Sequence, residues 1–186
     1  MRALQDHCTR EEYLALDDAS AEKHQFYNGE IFAMSGGSFN HARIGTNATF
    51  QLQSRLSGSP CESMNSDMRV TTPSGLNTYP DASVYCGDPD LTDNDHTLLN
   101  PVLIVEVLSP STRNYDQGDK FTHYRSILEL QDYLLIESES VHIAHYQRQG
   151  AHEWLLREYQ SPEDVLDLRS IQQQVPVAAF YENVKL

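Results

Sequence analysis

The sequence lacks any apolar run of the roughly 18 to 20 residues that a membrane-spanning helix requires. Its first ten residues, MRALQDHCTR, contain no apolar segment of the kind that signal peptides carry. We therefore expect a protein that stays in the cytoplasm and has no membrane partner. The chain of 186 residues is long enough for one hydrophobic core and short for two, which predicts a single domain over residues 1–186.

Cysteine is also scarce. The chain has 3 cysteines, Cys8, Cys61 and Cys86, which are widely separated and form no CxxC pair. This number and spacing argue against a zinc knuckle and imply no disulfide framework. The sequence predicts reduced thiols that are mostly buried.

Basic residues are few, which bears on any nucleic-acid function. The chain has 13 Lys and Arg against 27 Asp and Glu, a net charge of -14. A charge of this sign slows the approach of a polyanion. A local basic surface is still open, because several cations fall in the first two thirds of the chain: Lys23, Arg43, Arg55, Arg69, Arg113, Lys120 and Arg125.

The residue patterns predict an α/β protein with a mixed sheet and helices on at least one face. Thr9 and Glu12 have the spacing of a capping box ahead of a short helix, and Asn28-Gly29 predicts a hairpin turn. Apolar residues every four positions predict a helix from His41 to Leu56. The further predicted elements are strands at 61–70, from 79 and from 102, a helix at 116–129, a strand from 132, and antiparallel strands beyond it.

The segment PVLIVEVLSPST, residues 101–112, reads as a buried strand but contains an ionisable residue, Glu106. A buried carboxylate without a partner costs several kcal/mol or more, so such a residue usually binds a metal, pairs with a cation, or lies near a strand end that solvent reaches. The alternatives for Glu106 are therefore a functional role, a solvated strand end, or an ion pair with an arginine.

A second carboxylate, Asp81, begins the preceding predicted strand after Pro80. Neighbouring strands lie about 4.8 Å apart, so Asp81 and Glu106 can share a divalent cation if their strands pair. Carboxylate oxygens suit Mg2+ or Mn2+, and the backbone carbonyl of Val107 can add a ligand. Lys120, in the helix that follows, is the candidate to orient a water or stabilise negative charge.

Four segments carry a family resemblance: NGEIFAMSGGSFNHARI, YPDASVYC, PVLIVEVLSPSTRNYDQGDKFTHYR and DYLLIES. In this order and at these separations, they resemble the Uma-two-like family of restriction endonucleases, within the PD-(D/E)XK nuclease superfamily. The resemblance covers roughly residues 9 to 160. It implies a restriction-endonuclease-like fold, a central mixed β-sheet flanked by helices, with extra antiparallel strands at the C-terminus.

The resemblance also implies roles for individual residues. Asp81 and Glu106 would hold the metal and Lys120 would be the catalytic lysine, displaced to the helix because Leu108 stands two positions after the acid. The resemblance places a histidine at His41, which would touch substrate phosphate or assist the site. The family usually carries a glutamate four residues before the hairpin glycine, where this chain has Gln25, a residue without charge.

Each of these residues also has a purely structural interpretation. Asp81 after a proline can be a turn residue, and His41 can be a side chain of the helix cap. Asp116 and Lys120, four apart on a predicted helix, have the spacing of an ordinary surface ion pair. Asp116 is a possible accessory group, and Gln25 is either a ligand or a polar strand residue.

The sequence therefore predicts an enzyme, a metal-dependent endonuclease that hydrolyses phosphodiester bonds in DNA. The alternative is a non-catalytic, oligomeric binding or assembly module that retains the nuclease fold with a degraded site. Small proteins of this fold commonly form homodimers, and the resemblance suggests that the C-terminal strands with VPVAAFY, residues 175–181, supply an apolar dimer face. A homodimer is expected in either case.

Overall fold

The structure is a computed structural model that describes residue 4, residues 7–34 and residues 36–186. Its helices are α1 Arg10–Ala19, α2 Phe39–Leu56, α3 Arg113–Tyr115, α4 Phe121–Tyr124 and α5 Val177–Phe180, with a π turn at Asp116–Lys120 and a 3-10 turn at Arg169–Ile171. The first strands are β1 His24–Tyr27, β2 Glu30–Ala33, β3 Cys61–Asn65, β4 Arg69–Thr71, β5 Asn77–Thr78, β6 Ala82–Cys86 and β7 Leu91–Thr92. The remaining strands are β8 Thr97–Leu98, β9 Leu103–Leu108, β10 Asp132–Glu137, β11 Ile143–Arg148, β12 Trp154–Tyr159, β13 Val165–Leu168 and β14 Gln173–Pro176.

The strands form two six-stranded sheets and a hairpin. The main sheet has the order β12-β11-β10-β9-β6-β3, and the side sheet has the order β2-β1-β5-β4-β8-β7. In the main sheet β9 and β10 are parallel, whereas the other neighbouring pairs are antiparallel. The strands β13 and β14 pair only with each other. A mixed sheet flanked by helices, with antiparallel strands at the C-terminal end, is the predicted fold.

The central strand β9 is buried along its whole length and separates two cores. Leu103, Val105 and Val107 pack in a first core that includes α2, β14 and α5. Ile104 and Leu108 pack on the opposite face in a second core, which includes α4 and β10. Because side chains alternate along a strand, Glu106 shares the face of Ile104 and Leu108 and is directed towards α4.

The predicted helix α2 is confirmed. Ser38 is its N-cap, and its hydroxyl accepts a hydrogen bond from the backbone N–H of His41 at 3.3 Å. The residues spaced every four positions, Ile44, Ala48, Leu52 and Leu56, are all buried in the first core. The capping box of Thr9 and Glu12 at the start of α1 is also confirmed.

Two element predictions need correction. The predicted strand 61–70 is divided between the two sheets, because the Asn65 side chain accepts a hydrogen bond from the Asp67 backbone N–H at 3.0 Å and turns the chain. The predicted helix 116–129 begins at Arg113 and ends at Tyr124. The hydroxyl of Ser126 donates to the carbonyl of His123 at 2.6 Å and so satisfies an acceptor at the helix end.

The prediction that all three cysteines are reduced is wrong. Cys61 and Cys86 form a disulfide between β3 and β6, whereas Cys8 is a buried free thiol. The antiparallel register places Cys61 directly opposite Cys86. The two residues are 25 positions apart in sequence, so their spacing alone does not reveal this pairing.

The apolar C-terminal segment is not available as a dimer face. Val175, Val177 and Phe180 are fully buried in the first core of their own chain. The helix α5, which contains Val177 and Phe180, packs against α2, which also lies on the main sheet. Within the described residues, no helix combines the length and apolarity that crossing a membrane requires.

Candidate functional site

The side chain of Glu106 is held between a lysine and a tyrosine. Its Oε1 lies 2.7 Å from the Nζ of Lys120 and accepts a hydrogen bond from the hydroxyl of Tyr124 at 2.7 Å. Glu106 is 4% exposed, so it is not a solvated strand end. Its cation is a lysine and not the arginine that one alternative required.

Asp81 reaches the same region from the start of β6. The strands β6 and β9 are antiparallel neighbours with Ala82 opposite Val105, so Asp81 lies beside the C-terminal half of β9. Its Oδ2 accepts a hydrogen bond from the backbone N–H of Val107 at 2.7 Å. The carboxylate therefore contacts the strand that carries Glu106, as the sequence predicted for paired strands.

The helical segment that follows β9 supplies two further charged groups. Lys120 Nζ lies 3.4 Å from Asp116 Oδ1, and both side chains are only about 5% exposed or less. The pair therefore has the predicted spacing but is buried, unlike an ordinary surface ion pair. The turn that contains both residues is a π turn, and its Asp116 carbonyl accepts a hydrogen bond from the hydroxyl of Tyr133 at 3.0 Å.

Two polar residues complete the site on its open side. His41, in the first turn of α2, places Nε2 3.7 Å from Asp81 Oδ2, with its side chain 20% exposed. Gln25, on β1 of the side sheet, is buried and donates from Nε2 to the hydroxyl of Tyr115 at 3.2 Å. The site therefore draws on both sheets and on α2.

The carboxylates are held where their charged forms are disfavoured. Burial raises the pKa of Glu106 to about 8, and the charges of Asp116 and Asp81 act in the same direction, while Lys120 opposes them. Burial also raises the pKa of Asp81, although His41 and the Val107 N–H partly offset this effect. Three carboxyl groups thus share the charge of one lysine.

Lys120 is the positively charged group of the site. Burial alone would lower its pKa, but the carboxylates Glu106 and Asp116 more than compensate and raise it above the ordinary value of a lysine. Lys120 therefore keeps its proton at neutral pH. The site combines a fixed positive charge with an excess of carboxyl groups.

All seven residues singled out in the sequence line one cleft of about 650 Å³: Gln25, His41, Asp81, Glu106, Val107, Asp116 and Lys120. A second groove of about 1110 Å³ adjoins this cleft, and the two share Asp81 and His41 on their walls. Tyr124 was not identified from the sequence as a site residue, although it is buried and its hydroxyl donates a hydrogen bond to Glu106. Tyr124 stands four residues after Lys120, and this spacing was the sequence signal that could have indicated the contact.

The comparisons with known proteins agree with this fold. The sequence model of the Uma2 family, described as "Putative restriction endonuclease", matches residues 10–178. An uncharacterised Synechocystis protein, slr1290, is 41% identical over 94% of this chain and 91% of its own length, and a second one, sll1609, is 40% identical over 81% and 86%. A crystal structure described as a "putative nuclease belonging to DUF820" from Anabaena variabilis superposes with a TM-score of 0.76 at 17% identity, covering 92% of this chain and 96% of that one.

The structural similarity, at this low identity, concerns the fold alone. The family match spans most of the chain, and the relatives at about 40% identity cover it almost completely. The resemblance read from the sequence is confirmed: the chain belongs to the Uma2 family of restriction-endonuclease-like proteins.

Proposed function

We propose that this chain is a metal-dependent endonuclease that hydrolyses phosphodiester bonds in DNA. The observation that carries the proposal is the convergence of Asp81, Glu106 and Lys120, from three different elements, on one cleft. A buried excess of carboxyl groups around one lysine is costly for the fold. Such an arrangement is typical of a site that binds a cation and acts on a charged substrate.

The donor set fits Mg2+ or Mn2+. Among the described residues, no group of three or more His, Cys, Asp or Glu side chains stands at metal-binding spacing, so the side-chain ligands would be the two carboxylates Asp81 and Glu106. The N–H and C=O of one strand residue point to the same side, so the carbonyl of Val107 faces Asp81 as its N–H does. Two carboxylates and a carbonyl suit an ion that keeps several waters.

A cation bound there would polarise the scissile phosphate and acidify a bound water. The remaining roles fall to groups of the chain. Lys120 keeps a positive charge beside the reacting centre, and Tyr124 holds the Glu106 carboxyl by its hydrogen bond. His41, at the junction of the cleft and the adjoining groove, is placed to contact a phosphate oxygen of the substrate.

The adjoining groove is the proposed path of the DNA strand away from the site. One wall is the face of α2 that carries Ala42, Gly45 and Thr49, residues too small to fill it. Phe50 on the same wall has 64% of its surface exposed and offers a ring on which a base can stack. Lys23 also lines the groove, but its ammonium already pairs with Asp67 at 2.8 Å.

The test is nicking of supercoiled plasmid and cleavage of labelled single-stranded DNA in Mg2+ or Mn2+. Glu106→Gln and Lys120→Met change charge with little change of shape, and Glu158→Ala, an exposed residue in the His142 ion pair, is the matched control. We expect cleavage by the wild type and the control and at least about a hundredfold loss in each site variant. Equal cleavage by all four proteins, or none by the wild type, would contradict the proposal.

A non-catalytic binding module is the second candidate, and Gln25 favours it. The residue stands where the resemblance expects a glutamate, so the site has one carboxylate fewer. Calorimetry with Mn2+ separates the two functions. Binding that Asp81→Asn abolishes supports the nuclease, whereas no binding to the wild type supports the module.

The homodimer stays a prediction for either function. Val175, Val177 and Phe180 of the 175–181 segment cannot supply its face, because they are buried in their own chain. Sedimentation velocity at micromolar concentration gives the mass in solution directly. A mass of twice 21.1 kDa would support the dimer, and a monomer mass would contradict it.

A further inference from the structure

The three groups that surround Glu106 on the helical segment lie four residues apart. Lys120 and Tyr124 both contact its Oε1 at 2.7 Å, and Asp116 Oδ1 lies 3.4 Å from the same lysine Nζ. In a regular α helix a step of four residues overshoots a full turn by about 40°, so two steps rotate a side chain by about 80°. Asp116 and Tyr124 would then face different directions.

The π turn Asp116–Lys120 removes much of this rotation. A π turn contains more residues per turn than an α turn, so a step of four residues falls short of a full turn instead of overshooting it. This shortfall offsets the overshoot of the following α step, so Asp116 and Tyr124 face more nearly the same direction. The irregular turn allows Lys120 to contact both Asp116 and Glu106 while Tyr124 contacts the same Glu106 oxygen.

Tyr133, on the neighbouring strand β10, contacts this turn and links it to the main sheet. Its hydroxyl donates to the Asp116 carbonyl at 3.0 Å, and its ring stacks on Phe121 with centroids 5.0 Å apart. Asp116 begins the π turn and Phe121 directly follows it. In a regular α helix the Asp116 carbonyl would accept the backbone N–H of residue 120. Turning the carbonyl to that N–H would draw it away from Tyr133, and a buried phenol that loses its acceptor is costly.

We propose that Tyr133 is a positioning residue, which maintains the π turn and thereby holds Lys120 between Asp116 and Glu106. This inference goes beyond the proposed function, and it concerns the placement of Lys120 whether or not the chain cleaves DNA. Tyr133→Phe removes the hydroxyl and keeps the ring stacked on Phe121. The turn is then expected to relax towards an α turn and to release Lys120 from its ion pairs.

Lysine labelling tests the placement without any activity. The chain has only three lysines, of which Lys120 is 3% exposed, whereas Lys185 is exposed and Lys23 is partly exposed. We measure the rate at which an amine-acylating reagent modifies each lysine, by mass spectrometry, at one pH in EDTA. In the wild type Lys120 should react at least about tenfold more slowly than Lys185, because it is buried and paired.

Tyr133→Phe should raise the rate at Lys120 at least about fivefold while Lys23 and Lys185 keep their rates, because only the π turn is released. Tyr181→Phe is the matched control, because it removes another phenol that donates to a backbone carbonyl, that of His142 at 2.9 Å, in the other core. In this control Lys120 should stay protected. Unchanged protection in Tyr133→Phe, or an equal gain in Tyr181→Phe, would overturn the proposal.

A double-mutant cycle on plasmid nicking adds a second readout. Tyr133→Phe should lower kcat about tenfold or more in the wild-type background and have no effect in Lys120→Met, because it acts through Lys120. Equal effects in both backgrounds would assign Tyr133 a purely structural role. A wild type that does not cleave counts against the proposed function alone, and the labelling result still decides the placement of Lys120.

Discussion

Glu106 is a carboxyl group whose ionisation conflicts with its surroundings. Its pKa is about 8 in the folded protein against an ordinary value of 4.5, because of burial and the nearby carboxyl groups. The folded state therefore binds this proton more tightly than the unfolded state between these two pH values. By linkage, this group makes the protein less stable as pH rises from about 4.5 to about 8.

Replacing Glu106 should remove this loss of stability at high pH. In EDTA, Glu106→Gln is expected to unfold at a higher urea concentration than the wild type at pH 8.5, and the difference should shrink at pH 5.5. The expected gain at pH 8.5 is at least about 1 kcal/mol, because the glutamine carries no charge into the site. Urea titrations at both pH values measure it. A gain that is larger at pH 5.5 than at pH 8.5 would show that Glu106 is ionised at low pH.

A substitution at Gln25 tests the effect of adding negative charge to the site. Gln25→Glu adds a further carboxyl group to the cleft wall, beside the hydroxyl of Tyr115. We expect Mn2+ to bind several-fold more tightly, because ligand charge raises the affinity for a hard cation. Calorimetry at one ionic strength gives the affinity.

The control for this change is Gln160→Glu, which adds the same charge at an exposed position directly after β12 and outside the cleft lining. It should leave the affinity for Mn2+ as in the wild type. Tighter binding in both variants would mean that the gain comes from the overall charge and not from the cleft.

At the scale of an element, α2 serves two surfaces at once. Its buried face carries Ile44, Ala48, Leu52 and Leu56 into the first core. Another face carries Gly45, where an added Cβ would lie 4.0 Å from the Cβ of Asp81, an ordinary contact. The glycine keeps the groove open next to the candidate metal ligand.

Filling the groove from α2 should block substrate without harming the fold. Gly45→Leu is expected to weaken the binding of a labelled oligonucleotide about tenfold or more, and to leave the melting temperature equal or higher, since leucine is the better helix former. Ser54→Leu adds the same side chain to an exposed position of α2 outside the groove lining. Fluorescence anisotropy compares the proteins. Equal binding of the oligonucleotide by both variants would show that the DNA does not follow the groove.

At the scale of the whole molecule, a covalent bond cross-links the two outermost strands at one edge of the main sheet. The disulfide Cys61–Cys86 joins the edge strand β3 to β6, the strand that Asp81 precedes. The loop that it closes spans 25 residues and includes β4 and β5 of the side sheet. The bond therefore ties the connection between the two sheets.

Reducing this bond should lower stability. For a loop of this length the expected loss is about 3 kcal/mol, because the unfolded chain regains conformational freedom. Thermal unfolding with and without dithiothreitol measures the effect. Cys61→Ser should melt at the lower temperature in both conditions, whereas Cys8→Ser, a change at the free thiol, should respond to the reductant as the wild type does. A wild type that is indifferent to the reductant would contradict the role of the bond.

Much of the fold and of the site was predictable from the sequence. Apolar spacing identified α2, and the capping residues Thr9 and Glu12 identified the start of α1, because these signals are local. The carboxylate in the apolar segment 101–108 and the Pro80-Asp81 pair marked the candidate ligands, because a charge in a buried strand has few structural explanations. The order and spacing of the motifs were sufficient to identify the family.

Tertiary structure alone decided the contacts between distant parts of the chain. It buried the Lys120–Asp116 pair, gave Glu106 its hydrogen bond from Tyr124, and opposed Cys61 to Cys86. Each depends on strand register or on the docking of the helical segment onto the sheet, and no local pattern specifies either. The sequence determined which groups are the candidates for the chemistry, and packing determined their distances and their pKa values, because both depend on what excludes water around them.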